Sequence, residues 1–318
     1  MNSLAIFGIT AATIFGLATA FAGNVQAADN FIYTGNGDLA ALQAILERSD
    51  IAGAQVVYNW RALEPAQGEY DFSAIERDLE QTGRLNKKLF IQVQDRFFSP
   101  EARNIPDYVL EGAGGLVPQL DNPGEDKAQA YGWTTMQWNP AVRARYQALL
   151  KALAERFDGR VYGVNLPETA IDIDMKADKT GFSCDAYFDA ELENLTIARE
   201  AFTSSKVIQY VNFWPCEWEN DHNYMGRLFE RAAASGIGLG GPDIVPYRKG
   251  QMKNSYPFFN QYKGKLEFVG MAVQEPTLTY KNDKTGKPFT KDEFTAFATD
   301  YLGVDAIFWS VESPWLKP

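Results

Sequence analysis

VYGVNLPETA, residues 161–170, is a short apolar run that stops on a proline and a carboxylate. Together with Arg160 it reads as a strand, RVYGVN (160–165), followed at once by Pro167 and Glu168. A carboxylate is costly to bury unless solvent, a partner or a substrate compensates it. What Glu168 faces depends on where this strand stands among the others.

The same pattern recurs at a regular beat along the chain. NFIY (30–33) precedes a helix, LAALQAILER, with Asp38 as its cap. AQVVYN (54–59) precedes a helix opened by Ser73, with Glu76 three residues on as a capping box. Gly83 closes that helix and KLFIQV (88–93) follows. After the strand at 160–165 come a helix over 186–201, KVIQYVNF (206–213), IGLG (237–240) and LEFVGMAV (266–273). A helix boxed by Thr290 and Glu293 then leads to DAIFWS (305–310). Eight strands separated by helices imply a parallel sheet covered on both faces, and the near-continuous apolar runs agree. The expected fold is α/β, a single-domain closed (β/α)8 TIM barrel over 28–318; the rival is a doubly wound open sheet.

The beat breaks once. Residues 94–139 form a long loop after strand three, rich in Gly, Pro and Asp and carrying Trp133 and Trp138. A loop of that length inside a compact domain is usually functional or disordered. Helix resumes with Asn139 as cap and Pro140 in its first turn, and Val142, Tyr146, Leu149, Leu150 and Leu153 share one face.

Composition narrows the chemistry. The chain has 318 residues, 46% hydrophobic and 22% charged, with a formal charge of −11 and no Lys/Arg cluster. That balance argues against nucleic-acid partners and against an anionic membrane surface, and reads as a solvated acidic exterior. A lone histidine, His222, in a polar stretch opening a helix, leaves no His-rich metal site, and no GxSxG elbow is present. No metal or other cofactor is expected. Residues 1–27 read as a signal peptide cleaved near Ala27, because 4–22 are continuously apolar and small residues follow. An uncleaved anchor is the second reading, since no Lys or Arg precedes the run. The expected location is therefore secreted or periplasmic. Cys184 and Cys216 read most simply as one disulfide, with two free thiols the alternative.

In a barrel of this kind the active site lies at the C-terminal ends of the strands. Asn59, Gln94, Asp95, Glu168, Asn212, Glu275 and Glu312 all fall at or just past such ends. Strand seven ends VGMAVQEPT, and strands four and seven face each other across the mouth. Two carboxylates placed on opposite walls suit cleavage of a glycosidic bond, one protonating the departing oxygen and the other acting at the anomeric carbon. That division of labour requires environments that hold their protons differently.

Several stretches resemble clan A of the retaining glycoside hydrolases, barrels with catalytic glutamates after strands four and seven. WRALEPAQGEYDFS (60–73), MQWNPAV (136–142), VYGVNLPET, VGMAVQEP and IFWS (307–310) carry the likeness. The resemblance implies Glu168 as acid/base and Glu275 as nucleophile, with Trp309 as the floor beneath the sugar and Tyr247 as a hydrogen-bond donor to the nucleophile. The substrate expected is an oligo- or polysaccharide, met by Asn59, Gln94, Asn165 and Asn212 at or near the strand ends, with Trp60, Trp133, Trp138 and Trp214 extending the cleft into further subsites, which favours endo action. One position departs. The clan commonly has Asn directly before the acid/base, contacting the sugar's 2-hydroxyl, whereas this chain has Pro167; Asn59, Asn165 and Asn212 are the substitutes at hand.

Three signals are set aside. GIGLGGPD (236–243) has glycines within the strand itself, unlike a dinucleotide loop. IDIDMKADKTG (171–181) lacks EF-hand spacing, and NLT (194–196) lies within a helix. The sequence thus points to an exported, retaining glycoside hydrolase. A non-catalytic saccharide-binding barrel derived from such an enzyme is the alternative, and a barrel lyase or aldolase is disfavoured by the absence of a strand-end Lys.

Overall fold

The computed structural model describes residues 27–35, 39–121, 123 and 128–317. The apolar segment 4–22 and the cap expected at Asp38 lie outside them. Eight parallel strands close into a barrel: Asp29–Thr34, Gly53–Asn59, Lys88–Gln94, Gly163–Leu166, Lys206–Tyr210, Gly238–Gly241, Val269–Val273 and Ala306–Ser310, called here strands one to eight. Strand one pairs with both strand two and strand eight, so neither edge is left open. The eight expected strands are all present, within a few residues of their expected bounds.

Two layers fill the interior. The lower is aromatic: Phe31, Phe90, Phe268 and Phe308 with Tyr162, their ring centroids about 5–6 Å apart. Burying such a ring contributes on the order of 2 kcal/mol. Glycine makes room for it, since a Cβ on Gly163 would stand 2.4 Å from the Phe90 ring. The upper layer is polar. Gln92 lies level with Asn165, and the Tyr210 hydroxyl donates to Gln55 Oε1 at 2.9 Å. Successive residues alternate faces, so Phe308 points into the barrel while Trp309 points out at Phe294 and Trp315.

The 94–139 loop is largely ordered structure. Arg96–Phe97, Leu116–Asp121 and Gln129–Thr135 form a small antiparallel sheet, joined by a helix over Asp107–Ala113. Helix starts follow the chemistry of their caps. Asn139 accepts from the amides of Ala141 and Val142, and the Thr290–Glu293 capping box forms. The box expected at Ser73 does not. Asp71 accepts the Ser73 amide instead, which makes Ser73 the first helical residue and frees Glu76 to pair with Arg156 and Arg160.

WRALEP is a structural staple. Trp60 Nε1 donates to Glu64, which also pairs with Arg145 of the Pro140–Phe157 helix. Cys184 and Cys216 form a disulfide. The GIGLGGPD glycines lie in strand six, where a Cβ on Gly240 would collide with the Gly270 carbonyl. Asn194 of NLT is buried in the Cys184–Ala201 helix. Among the described residues no helix is long and apolar enough to cross a membrane.

Candidate active site

Glu168 stands just past strand four, and its neighbour Thr169 knits that end to strand five. The Thr169 amide donates to the Tyr210 carbonyl (3.1 Å) and its hydroxyl to the Phe213 carbonyl (2.8 Å). This stitching brings Asn212 alongside, and its Nδ2 donates to Glu168 Oε2 at 3.1 Å. The residue keeps some solvent access, but protein surrounds its carboxyl closely. Burial is the main cause that pushes the Glu168 carboxyl up to about 7; Asp243 and Asp172 add to the rise, while Asn212 and Arg96 oppose it.

Glu275, just past strand seven, is exposed, and its Oε1 accepts the Ser310 hydroxyl at 2.5 Å. Ser310 ends strand eight and lies level with Tyr33 of strand one. Burial, then the charges of Glu275, Asp243 and Glu168, push the Tyr33 phenol up to about 12. Tyr33 therefore lies within electrostatic reach of all three carboxyls, which places them around one mouth. Asp243, just past strand six, is fixed by backbone pairing to Val273 and accepts the Thr277 hydroxyl. Burial raises its pKa. On the far flank the Tyr131 hydroxyl donates to Asp172 at 2.9 Å.

The other expected site residues separate into those near this mouth and those turned away. Asn212 is beside Glu168. Gln94 ends strand three, half-buried. Asn165 is fully buried in the polar layer beneath. Asn59 has its side-chain oxygen engaged as the cap of the Trp60–Leu63 helix. Asp95 belongs to a buried cluster, where it accepts from Gln137 (2.6 Å) beside Arg96, which also pairs with Glu191. Glu312 is an exposed charge paired with Lys317.

The tryptophans need correction. Trp309 is wholly buried outside the barrel, with Nε1 donating to Asn30 at 2.7 Å, so it cannot floor a sugar site. Trp138 packs on Phe182 and donates to Thr180. Trp214 is buried against Phe188, and Trp60 is buried as well. Trp133 is held by the Pro100 carbonyl under Arg103. Tyr247 is 69% exposed and packs on Phe297, and the donor to Glu275 is Ser310. The sequence reading missed Tyr33, Ser310 and Asp243. Alternation along strands one and eight would have found the first two, and the glycine reading of GIGLGGPD drew attention away from the third.

No family model matches the chain, and no curated protein does. Solved structures do. The catalytic domain of a beta-amylase from Paenibacillus polymyxa superposes with a TM-score of 0.58 over 89% of this chain and 92% of its own, at 9% identity. What the two share is the closed (β/α)8 barrel. A psychrophilic glycoside hydrolase family 10 endo-beta-1,4-xylanase matches with a TM-score of 0.53 at 12% identity, over 90% of this chain and 87% of its own. Xylanase 10B from Thermotoga petrophila, in complex with xylobiose, matches at 0.52 and 12% identity, over 88% and 81%. At such identities the likeness is one of architecture.

Proposed function

We propose that the chain is an exported glycoside hydrolase acting on an oligo- or polysaccharide with retention of configuration. The observation that carries this reading is the unequal pair at the barrel mouth: Glu168 enclosed and raised to about 7, Glu275 exposed and oriented by Ser310. In the first step a Glu275 oxygen bonds to the anomeric carbon as the glycosidic C–O bond breaks, and the Glu168 proton passes to the departing oxygen. In the second, water attacks that carbon while its proton goes to Glu168, and the Glu275 ester bond breaks. The Asn212 amide, bonded to Glu168, holds that carboxyl facing the reaction. The architectural likeness to the beta-amylase and the xylanases, together with the disulfide, supports a carbohydrate-cleaving protein made for an oxidising compartment.

Purified protein lacking 1–27, offered a polysaccharide panel with products followed by proton NMR, tests the proposal. Hydrolysis that first releases the substrate's own anomer, abolished by Glu168→Gln, supports it; initial release of the opposite anomer refutes retention. Pro167, in place of an amide-bearing residue, favours a second reading as a non-catalytic saccharide-binding barrel. That reading predicts binding without turnover, unchanged by Glu168→Gln.

A further inference from the structure

The loop after strand five carries the most exposed tryptophan among the described residues, Trp218, at 53%. Burial would remove a large apolar surface from water, yet this loop is built to hold the indole out. Cys216, Glu219, Asn220 and Asn223 all have positive φ, between 50° and 69°. Such backbone persists only where its surroundings over-determine it. Here the ties are the Cys184–Cys216 disulfide, Asp221 Oδ1 accepting the Trp218 amide (2.8 Å), Asn254 Oδ1 accepting the Glu219 amide (3.0 Å) and the Lys253–Glu219 pair (2.9 Å).

Two cavities, about 380 and 310 Å³, share the wall made by Phe213, Glu217 and Trp218. Each lies in the usual range of small-molecule sites, roughly 300–1,000 Å³. The larger begins at Asn212, the residue that holds Glu168, and is closed on its other side by Arg248, Gln251 and Asn254. Gln251 Oε1 is buried there without a hydrogen-bond partner among the described residues. Neither Glu168 nor Glu275 lines either cavity, and the larger one reaches the acid through Asn212.

We propose that this groove binds the leaving-group portion of a sugar chain, with a pyranose ring stacked on Trp218 and a hydroxyl donating to Gln251. The inference rests on the hydrolase reading for its direction. The acid must touch the departing oxygen, so a groove opening from the acid's own partner receives what departs. The chemistry suits a pyranose: its C–H face packs on an indole, and its hydroxyls meet side-chain amides and a guanidinium. Lys253 Nζ lies over the Trp218 ring, 5.3 Å from its centroid.

Calorimetry on the Glu168→Gln chain with cellohexaose, xylohexaose and maltohexaose tests the groove without turnover. At least one hexasaccharide should bind, and adding Trp218→Ala should weaken it about tenfold or more, with Trp218→Phe intermediate. Unchanged affinity in the Trp218→Ala protein, or no binding by any of the three, overturns the inference. In the active protein, Trp218→Ala should lower kcat/KM for the hexasaccharide about tenfold more than for the matching nitrophenyl glycoside, whose leaving group is small. Equal losses on both substrates overturn it. A wild-type chain that binds a hexasaccharide through Trp218 but cleaves no substrate refutes the hydrolase reading while leaving the binding site standing.

Discussion

The ends of strands four and seven carry the same residue type in opposite surroundings. At strand four, Glu168 is enclosed, bonded by Asn212 and flanked by the negative charges of Asp243 and Asp172. At strand seven, Glu275 stands exposed with a single hydroxyl on one oxygen. Enclosure, rather than residue identity, is what raises the Glu168 pKa. The contrast also explains why other strand-end groups matter: Asp243 acts on Glu168 through space, and Ser310 acts on Glu275 by contact.

The sharpest way to break the comparison is to neutralise each end in turn. Glu275→Gln should lower kcat a thousandfold or more on every substrate, about 4 kcal/mol of barrel-mouth chemistry. Glu168→Gln should cost as much on an unactivated glycoside but far less on a dinitrophenyl glycoside, whose leaving group needs no proton. Equal losses for both variants on the activated substrate would erase the distinction between the two ends.

Stability offers a second, catalysis-free probe. A carboxyl raised from 4.5 to about 7 in the folded state holds a proton that the unfolded chain has already lost between those values. Folding stability should therefore be fully present below about pH 4.5 and fall by about 3 kcal/mol as pH rises through 7. Denaturant titrations of wild type and Glu168→Gln across this window should differ by that slope. Parallel curves would show that Glu168 is not enclosed as described.

Two smaller effects sharpen the picture. Asp243→Asn removes a negative charge that raises the Glu168 pKa, so the basic limb of the kcat/KM–pH profile should move to lower pH. A limb that stays put or moves up would contradict the through-space role. Ser310→Ala should lower kcat tenfold or less and leave that limb in place, since the hydroxyl serves the other carboxyl. A shift of the basic limb in this variant would mean the two ends are not independent.

The fold was legible because its signals are local. Each barrel strand is a short apolar run closed by a helix cap, and topology follows from their number. The candidate pair was legible too, as residues just past strands four and seven. Contacts across the mouth were not. What lifts Glu168 is chiefly its burial, and the charges that add to the rise come from Asp243, after strand six, and Asp172, in the strand-four loop, at no fixed spacing. The Trp309 expectation failed for a different reason: IFWS gives its inward positions to Phe308 and Ser310, so the tryptophan goes to the outer face. The sheet within 94–139 was obscured because Gly132 and Pro118 interrupt its strands. Trp218 was readable as a residue, but only the loop fixed around it shows that it faces solvent.

The account stands on Glu168 retaining its proton near neutrality because the protein encloses it. Carbon-13 NMR of glutamate-labelled protein, with the Glu168 signal assigned by its disappearance in Glu168→Gln, reads that directly. A midpoint near pH 7 is the predicted result. A midpoint close to 4.5, the value of a solvated glutamate, would contradict the assignment of this residue as the acid.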